Sequence, residues 1–328
     1  MKRIHIFAMG GTISYLSNNK NRKRAEDLIN EIGELPDHIN ITYEDLMQKA
    51  SSDLLIDDVT FLAKAVMCKI NEKIDGIVIV QGTDTMEETS FMLELLVDSK
   101  VPIVFTGALR HAGLRGSEGN ANLFSAIIVA SSEVFRNVGC VLVLNDEIHS
   151  SLYVKKMHTQ RTGAFESQFG PIGYISEGHP RLTMIPRQIN IDKTIFSGFF
   201  HWKPVPVFLA GMSLGDGGHI LDFILQAGYK GMVIDGFGGG HVTNEFALKL
   251  PHIINEIPVV MSSRTGNGEV LRNTYRGYPG SEVELIKAGC IYAGIMDSLK
   301  ARILLCLLVT CDFDRERIIE IFKIIGEP

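Results

Sequence analysis

Hydroxyl, carboxylate and amine side chains occur close to the ends of two apolar runs that have the length of buried strands. Thr83 and Asp84 follow the run at 76–80, and the pair Lys155 and Lys156 lies just beyond the run at 138–144. A threonine hydroxyl is a weak nucleophile at neutral pH and needs a base or an ordered path for its proton. A lysine that is removed from water beside a hydroxyl and a carboxylate can exchange protons near neutrality. These residue types therefore allow chemistry based on a threonine hydroxyl.

A second candidate hydroxyl belongs to Thr12, which follows Gly10 and Gly11 after the apolar run at 4–9. Paired glycines let the backbone turn sharply and approach a ligand closely. An ordinary turn from a strand into a loop explains the same triplet, so this signal is weak by itself.

The polar segment at 81–89 also has a structural explanation, because it leads from a strand into a helix. Thr83, Asp84 or Thr85 could cap that helix, with acidic residues supporting its first turn. Capping accounts for one of these residues and leaves the crowding of the others unexplained. Lys155 and Lys156 likewise have the ordinary alternative of solvated surface charges.

Apolar runs alternate with segments of helical periodicity along the first part of the chain. Such alternation predicts a mainly parallel sheet covered by helices on both faces. Ligands and catalytic groups collect at the carboxyl ends of strands in sheets of this kind. We predict strands at 4–9, 76–80, 102–105 and 138–144 and helices at 57–70 and 86–97.

The pattern loosens at 190–206, a stretch that contains Trp202 and two prolines, and then resumes. We expect strands at 206–209, 231–234 and 258–261, helices at 219–227 and 243–254, and a buried helix at 298–311. The sequence thus predicts two α/β domains with mainly parallel sheets, and its length allows both. The larger, N-terminal domain covers 1–190, a linker covers 191–205, and the smaller, C-terminal domain covers 206–328.

Composition and motifs exclude several classes of protein. The net charge of −6 argues against a nucleic-acid partner. Apolar runs stay below the ~20 residues of a membrane span, so we expect no membrane partner. The five cysteines form no C-x-x-C pair, and the apolar stretch after the N-terminus is too short for a signal peptide, so we expect a cytoplasmic protein.

We also expect no metal and no cofactor. The ten histidines lack the spacing of metal ligands. The glycine-rich segment at 236–241 resembles a dinucleotide loop, but His241 replaces its third glycine.

Six motifs are spread over nearly the whole chain. They are Gly-Gly-Thr-Ile at 10–13, Gln-Gly-Thr-Asp-Thr-Met-Glu-Glu-Thr at 81–89, Thr-Gly-Ala-Leu-Arg at 106–110, Ser-Glu-Gly-Asn-Ala-Asn-Leu at 117–123, Gly-Pro-Ile-Gly-Tyr-Ile at 170–175 and Lys-Ala-Arg-Ile-Leu-Leu at 300–305. In type and order they resemble the motifs of the bacterial-type L-asparaginase/glutaminase family. The resemblance implies an amidohydrolase that converts the side-chain amide of L-asparagine, or a close analogue, to the acid and ammonia.

The resemblance also implies roles for the candidate catalytic residues. Thr12 matches the first catalytic threonine of the family, the nucleophile that attacks the amide carbon. Thr83, Asp84 and Lys156 match a second catalytic group, in which lysine and aspartate help to activate a threonine hydroxyl. Asp84 also matches the carboxylate that holds the α-ammonium group of the substrate.

Further residues match positions that bind the substrate. Ser51, with Ser52 beside it, matches the segment that binds the α-carboxylate, and the backbone carbonyl of Ala108 matches the one that faces the leaving nitrogen. Glu282, or else Glu284, matches a glutamate that completes the site of a neighbouring subunit. The resemblance therefore implies a homodimer or homotetramer.

Two departures from the family pattern leave other functions open. The tyrosine expected in the loop after Thr12 is missing, and Tyr15 is the candidate to replace it. His241 stands where many relatives have asparagine. An amidase or deamidase for a modified amide in a biosynthetic pathway, or a catalytically weak amino-acid sensor, would also fit. The sequence favours these over the tRNA-dependent amidotransferase relatives, which are expected to carry an extra N-terminal domain. Asparagine and glutamine differ by one methylene, which changes binding by only ~1–3 kcal/mol.

Overall fold

The computed structural model describes residues 1–11 and 24–327. The chain divides into two compact units, Met1–Gln188 and Ile189–Pro328. Thr12 and Tyr15 lie outside the described residues.

The first unit is built around an 8-stranded sheet with the order β10-β9-β6-β5-β4-β3-β1-β2. Its strands are β1 Lys2–Ala8, β2 Ile39–Asp45, β3 Gly76–Val80, β4 Ile103–Thr106, β5 Cys140–Leu144, β6 Glu147–Ser150, β9 Gly173–Ser176 and β10 His179–Leu182, while β7 Val154–Lys156 and β8 Phe165–Ser167 pair in a small sheet of their own. The helices are α1 Ala25–Asn30, α2 Ile56–Asn71, α3 Met86–Leu96 and α4 Gly119–Ser131.

The five neighbouring strands β2, β1, β3, β4 and β5 run parallel, and the chain reverses direction after β5. Asn145 and Asp146 both have positive φ, 53° and 60°, which is the conformation of a two-residue hairpin turn. This turn makes β6 antiparallel, and β9 and β10 continue the antiparallel edge. The predicted mainly parallel sheet is confirmed, and the antiparallel edge is an addition to the prediction.

Strands β3 and β5 are fully buried along their length. One face of the sheet packs Val78 and Val104 against apolar residues of α4, including Leu123 and Ile127. Burial of both faces explains why these strands are continuous apolar runs and do not alternate with polar residues.

The second unit has a parallel 4-stranded sheet with the order β11-β12-β13-β14. Its elements are β11 Val207–Gly211, α5 Leu221–Ile224, β12 Gly231–Gly236, α6 Asn244–Ile254, β13 Val259–Ser263, α7 Glu282–Ala288, β14 Ile291–Tyr292, α8 Ser298–Thr310 and α9 Arg315–Gly326. The prediction of two α/β domains, the first larger than the second, is confirmed. Helix α8 is buried along most of its length, as predicted.

Two segments of the second unit differ from the sequence predictions. The helix expected at 219–227 is reduced to the single turn α5. The stretch assigned to a linker contains a 3-10 helix, Lys193–Phe200, in which Phe196 and Phe199 are buried. Aromatic side chains that are this fully buried belong to a packed core.

Among the described residues, no helix combines the length and the apolar character needed to cross a membrane.

Candidate active site

The end of β3 places Thr83 and Asp84 at the carboxyl edge of the large sheet. Residues Thr83–Thr85 form one 3-10 turn between this strand and α3. Within that turn Thr83 is almost fully buried, whereas the side chain of Asp84 is 64% exposed. The two neighbours therefore occupy different environments, one protected from water and one open to solutes.

Lys156, the last residue of β7, brings these two residues into one cluster. Its Nζ donates to Thr83 Oγ1 at 2.8 Å and to Asp84 Oδ1 at 2.6 Å. The lysine side chain is only 15% exposed, so it is not the solvated surface charge that the sequence left open. An ammonium group that donates to a hydroxyl oxygen polarises the O–H bond, and the carboxylate balances its charge. The structure thus brings the predicted cluster of Thr83, Asp84 and Lys156 together as a buried hydroxyl, an ammonium group and a carboxylate in direct contact.

Ser51 lies against the same turn, although the sequence separates the two segments. Its Oγ accepts a hydrogen bond from the backbone N–H of Asp84 at 3.2 Å, and its carbonyl accepts one from Thr85 Oγ1 at 2.9 Å. Ser51 is buried, whereas its neighbour Ser52 is exposed. The structure therefore places Ser51 beside Asp84 and leaves Ser52 on the surface.

The capping explanation is wrong for Thr85. Thr85 precedes α3, but within the described part of the chain its hydroxyl makes no hydrogen bond to a helix N–H and donates to Ser51 instead. The polar residues of this segment thus tie two loops together at the sheet edge.

Close packing of glycines joins the ends of β1 and β3. Gly11 has φ +95°, and a Cβ on it would stand 2.2 Å from the backbone N of Gly82. A Cβ on Gly82 would stand 2.6 Å from Ser51 Oγ. A side chain at either position would push these loops apart. Thr12 directly follows Gly11 in the sequence but lies outside the described residues.

The loop after β4 reaches the same edge of the sheet and contains the buried residue Ala108. A Cβ on Gly107 would stand 2.3 Å from the carbonyl oxygen of Gln81. Asn122 holds this loop, because its Nδ2 donates to the carbonyl of Gly107 at 3.0 Å while its Oδ1 accepts from the backbone N–H of Asn145 at 3.0 Å. Asn122 belongs to the motif at 117–123, but the motif alone assigns it no role.

A cavity of about 360 Å³ lies beside the cluster and is lined by Asp84, Lys156, Met157, His158 and Thr159. This volume suits a small molecule of the size of an amino acid. The exposed carboxylate of Asp84 and the end of Lys156 are therefore accessible to a solute. Among residues 1–11 and 24–327, no group of three or more acidic, histidine or cysteine side chains is placed to hold a metal ion.

Glu282 begins α7 in the second unit, and its side chain is fully buried there. Its carboxylate accepts hydrogen bonds from the backbone N–H groups of Thr274 and Tyr275, at 2.8 and 2.5 Å, and lies 3.0 Å from His241 Nε2. Burial by itself would raise the pKa of Glu282, but these hydrogen bonds outweigh it and lower the pKa. Glu284 forms an ion pair with Lys287. The expected contribution of Glu282 to a neighbouring subunit stays a prediction.

Comparison with known protein families accounts for both units. Residues 3–187 match the N-terminal domain of asparaginase, and residues 206–322 match the glutaminase/asparaginase C-terminal domain. The chain belongs to the asparaginase family. It is an asparaginase-like amidohydrolase, an enzyme that hydrolyses a carboxamide.

Individual members of the family are similar over most of their length. L-asparaginase 2 of Bacillus subtilis is 30% identical over 97% of this chain and 85% of its own. The crystal structure of a probable cytoplasmic L-asparaginase from Campylobacter jejuni superimposes with a TM-score of 0.84 at 28% identity and covers 98% of this chain and 99% of its own. One of the subunits of the glutamyl-tRNA(Gln) amidotransferase of Methanococcus vannielii is 30% identical over 84% of this chain and 68% of its own.

Proposed function

We propose that this amidohydrolase hydrolyses the side-chain amide of L-asparagine, or of a close analogue, to the carboxylic acid and ammonia. The observation that supports this proposal is the contact of the Lys156 ammonium with both Thr83 Oγ1 and Asp84 Oδ1 beside a cavity of suitable size. The names of the relatives, L-asparaginase and glutaminase-asparaginase, indicate the same class of substrate.

The proposed reaction has two stages that share one pocket. The hydroxyl of Thr12 attacks the amide carbon, the carbonyl oxygen becomes an oxyanion, and ammonia leaves with the proton that the hydroxyl gave up. Water then attacks the resulting ester, which releases the acid and regenerates the hydroxyl of Thr12. Thr83 and Lys156 carry protons during these steps. Division of amide hydrolysis into two transfers lowers each barrier.

Proposed contacts at both ends of the amino acid orient it for this attack. The exposed carboxylate of Asp84 holds the α-ammonium group, and Ser51 with Ser52 holds the α-carboxylate. The carbonyl of Ala108 faces the leaving nitrogen. Fixed contacts of this kind raise the rate because the reacting atoms stay in place.

The proposed assembly is a homodimer or homotetramer in the cytoplasm, in which Glu282 of one subunit completes the site of another. The crystal structure of the Campylobacter jejuni protein, described as a probable cytoplasmic enzyme, supports this location. In the proposed enzyme Tyr15 replaces the tyrosine that the resemblance implies after Thr12.

A second candidate function is an amidase for a modified amide in a biosynthetic pathway. Similarity to part of an amidotransferase that acts on glutamyl-tRNA favours this candidate. Efficient turnover of asparagine at micromolar concentration would exclude it, because a site adapted to a larger amide would bind this small substrate only weakly.

An ammonia-release screen over asparagine, glutamine, peptide amides and N-substituted amides tests the proposal. We expect turnover of at least one amino-acid amide and its loss in Thr12→Ala. Wild-type protein that releases no ammonia from any member of the panel contradicts the proposal. Calorimetry that finds tight asparagine binding without turnover would instead support an amino-acid sensor.

A further inference from the structure

A carboxylate that the proposed mechanism does not use holds the backbone of Lys156. Glu87 lies in the first turn of α3 and is buried. Its Oε2 accepts a hydrogen bond from the backbone N–H of Lys156 at 2.6 Å. A short bond from a backbone N–H to a carboxylate is charge-assisted and stronger than a bond between neutral groups.

The position of Lys156 in the fold makes this bond important. Lys156 ends β7, a strand of three residues that pairs with β8 and lies outside the 8-stranded sheet. Helix α3, by contrast, begins directly after the turn that carries Thr83. The bond from Glu87 therefore fixes the end of a short strand to the element that also fixes Thr83.

We propose that Glu87 is a positioning residue, which sets the backbone of Lys156 so that its ammonium reaches Thr83 Oγ1 and Asp84 Oδ1 together. This inference rests on the proposed function, in which Lys156 carries protons. Without the bond, β7 is free to move relative to α3, and the distance of 2.8 Å between Nζ and Oγ1 is lost. A misplacement of about 1 Å lowers catalysis by up to about 100-fold.

Glu94 provides a matched control on the same helix. It lies seven residues after Glu87, is also buried, and its Oε2 accepts a hydrogen bond from the backbone N–H of Cys140 at 2.5 Å. Cys140 begins β5, a strand of the large sheet, at the opposite end from the catalytic edge. Loss of Glu94 therefore removes the same kind of contact without moving Lys156.

The experiment compares kcat, KM and thermal unfolding of wild type, Glu87→Ala, Glu87→Gln and Glu94→Ala in the ammonia-release assay. We expect Glu87→Ala to lower kcat by about 100-fold and to change KM by less than about 3-fold, because positioning is lost and binding is not. Glu87→Gln keeps an acceptor oxygen and should retain kcat within about 5-fold. Glu94→Ala should lower the unfolding temperature as Glu87→Ala does, with kcat unchanged within about 2-fold.

A fall in kcat for Glu87→Ala no larger than that for Glu94→Ala overturns the inference, as does a Glu87→Gln variant as slow as the alanine variant. If Glu87→Ala does not fold, Glu87→Asp replaces it in the experiment. The shorter side chain keeps the charge and moves the acceptor oxygen away from the backbone N–H of Lys156. Full kcat in Glu87→Asp then overturns the inference.

Failure of the proposed function gives a different result. Wild-type protein without activity towards any amide removes the function, and crystal structures of wild type and the Glu87 variant then decide the inference. Lys156 Nζ displaced from Thr83 Oγ1 in the variant supports positioning by Glu87. An unchanged contact overturns it.

Discussion

Replacement of Lys156 by methionine tests how much the ammonium group contributes to catalysis. Methionine preserves an unbranched side chain of similar length and removes the charge and the donors. The variant therefore leaves Thr83 Oγ1 and Asp84 Oδ1 without the hydrogen bonds that Lys156 makes, at 2.8 and 2.6 Å. We expect Lys156→Met to fold, because methionine fills a similar volume and the lysine side chain lines a cavity.

The two contacts contribute unequally. Asp84 is 64% exposed, so its ion pair with Lys156 is screened by water and contributes at most about 1 kcal/mol. Thr83 is almost fully buried, and a hydrogen bond from a charged donor to such a group contributes about 1.5–3 kcal/mol. A proton-transfer role adds to this, since a positioned acid or base typically gives about 100-fold to 10,000-fold in rate. We expect kcat to fall by at least about 100-fold, which corresponds to about 3 kcal/mol.

The assay is steady-state ammonia release from the best substrate of the panel, with Lys155→Met as the control. Lys155 precedes Lys156 in β7, and successive side chains of a strand point to opposite faces. The control removes the same charge from the same strand and should keep kcat within about 2-fold, as surface substitutions usually do. Equal kcat values for Lys156→Met and wild type, or equal losses in both variants, would refute the assignment of a catalytic role to this ammonium.

Three further predictions concern the neighbourhood of the cluster and the stability of the fold. Ser51→Ala should raise KM by about 10-fold in steady-state kinetics, because the hydroxyl proposed to hold the α-carboxylate is removed and the backbone N–H of Asp84 loses its acceptor. Gly11→Ala should lower the free energy of unfolding by more than about 2 kcal/mol in denaturant titrations, whereas Gly178→Ala, which has a positive φ but open space around its Cβ, should cost only about 1 kcal/mol. Burial, with the nearby charge of Lys69, lowers the pKa of His5 from 6.5 to about 4. As pH falls from 6.5 to 4, the unfolded chain binds a proton at His5 before the folded chain does. The free energy of unfolding should therefore decrease by at most about 3 kcal/mol over this range in denaturant titrations, and it should decrease less in His5→Gln.

Each of these predictions has an outcome that contradicts it. An unchanged KM in Ser51→Ala would separate the hydroxyl from substrate binding. Equal destabilisation in both glycine variants would mean that backbone strain alone, without a steric clash, explains the effect. A His5→Gln variant with the same loss of stability between pH 6.5 and 4 would assign the acid sensitivity to other groups.

The parallel core can be predicted from the sequence because its physical cause is simple. Strands buried on both faces become continuous apolar runs, so β3 and β5 are recognisable without any contact information. The antiparallel strands β6 to β10 escape prediction because each has only three or four residues and carries polar side chains, and because β9 and β10 are only partly buried. Helix α4 escapes it because it is apolar on most sides and has little helical periodicity in its sequence.

The candidate site can be predicted only where residues follow a strand or match a motif. Thr83 and Asp84 stand out because they follow β3 closely, whereas Lys156 is one of many lysines until the family resemblance singles it out. The hydrogen bonds of Glu87 and Asn122 join residues that are far apart in the chain. No local pattern in the sequence encodes such bonds, since a buried polar side chain finds its partner only after the chain has folded.

The most direct test of the central claim is kcat for ammonia release by Thr83→Val compared with Thr83→Ser. Valine has nearly the shape of threonine and lacks the hydroxyl that Lys156 contacts, whereas serine keeps it. We expect a loss of at least about 100-fold for valine and less than about 10-fold for serine. Wild-type kcat in Thr83→Val would contradict a role for this hydroxyl in catalysis.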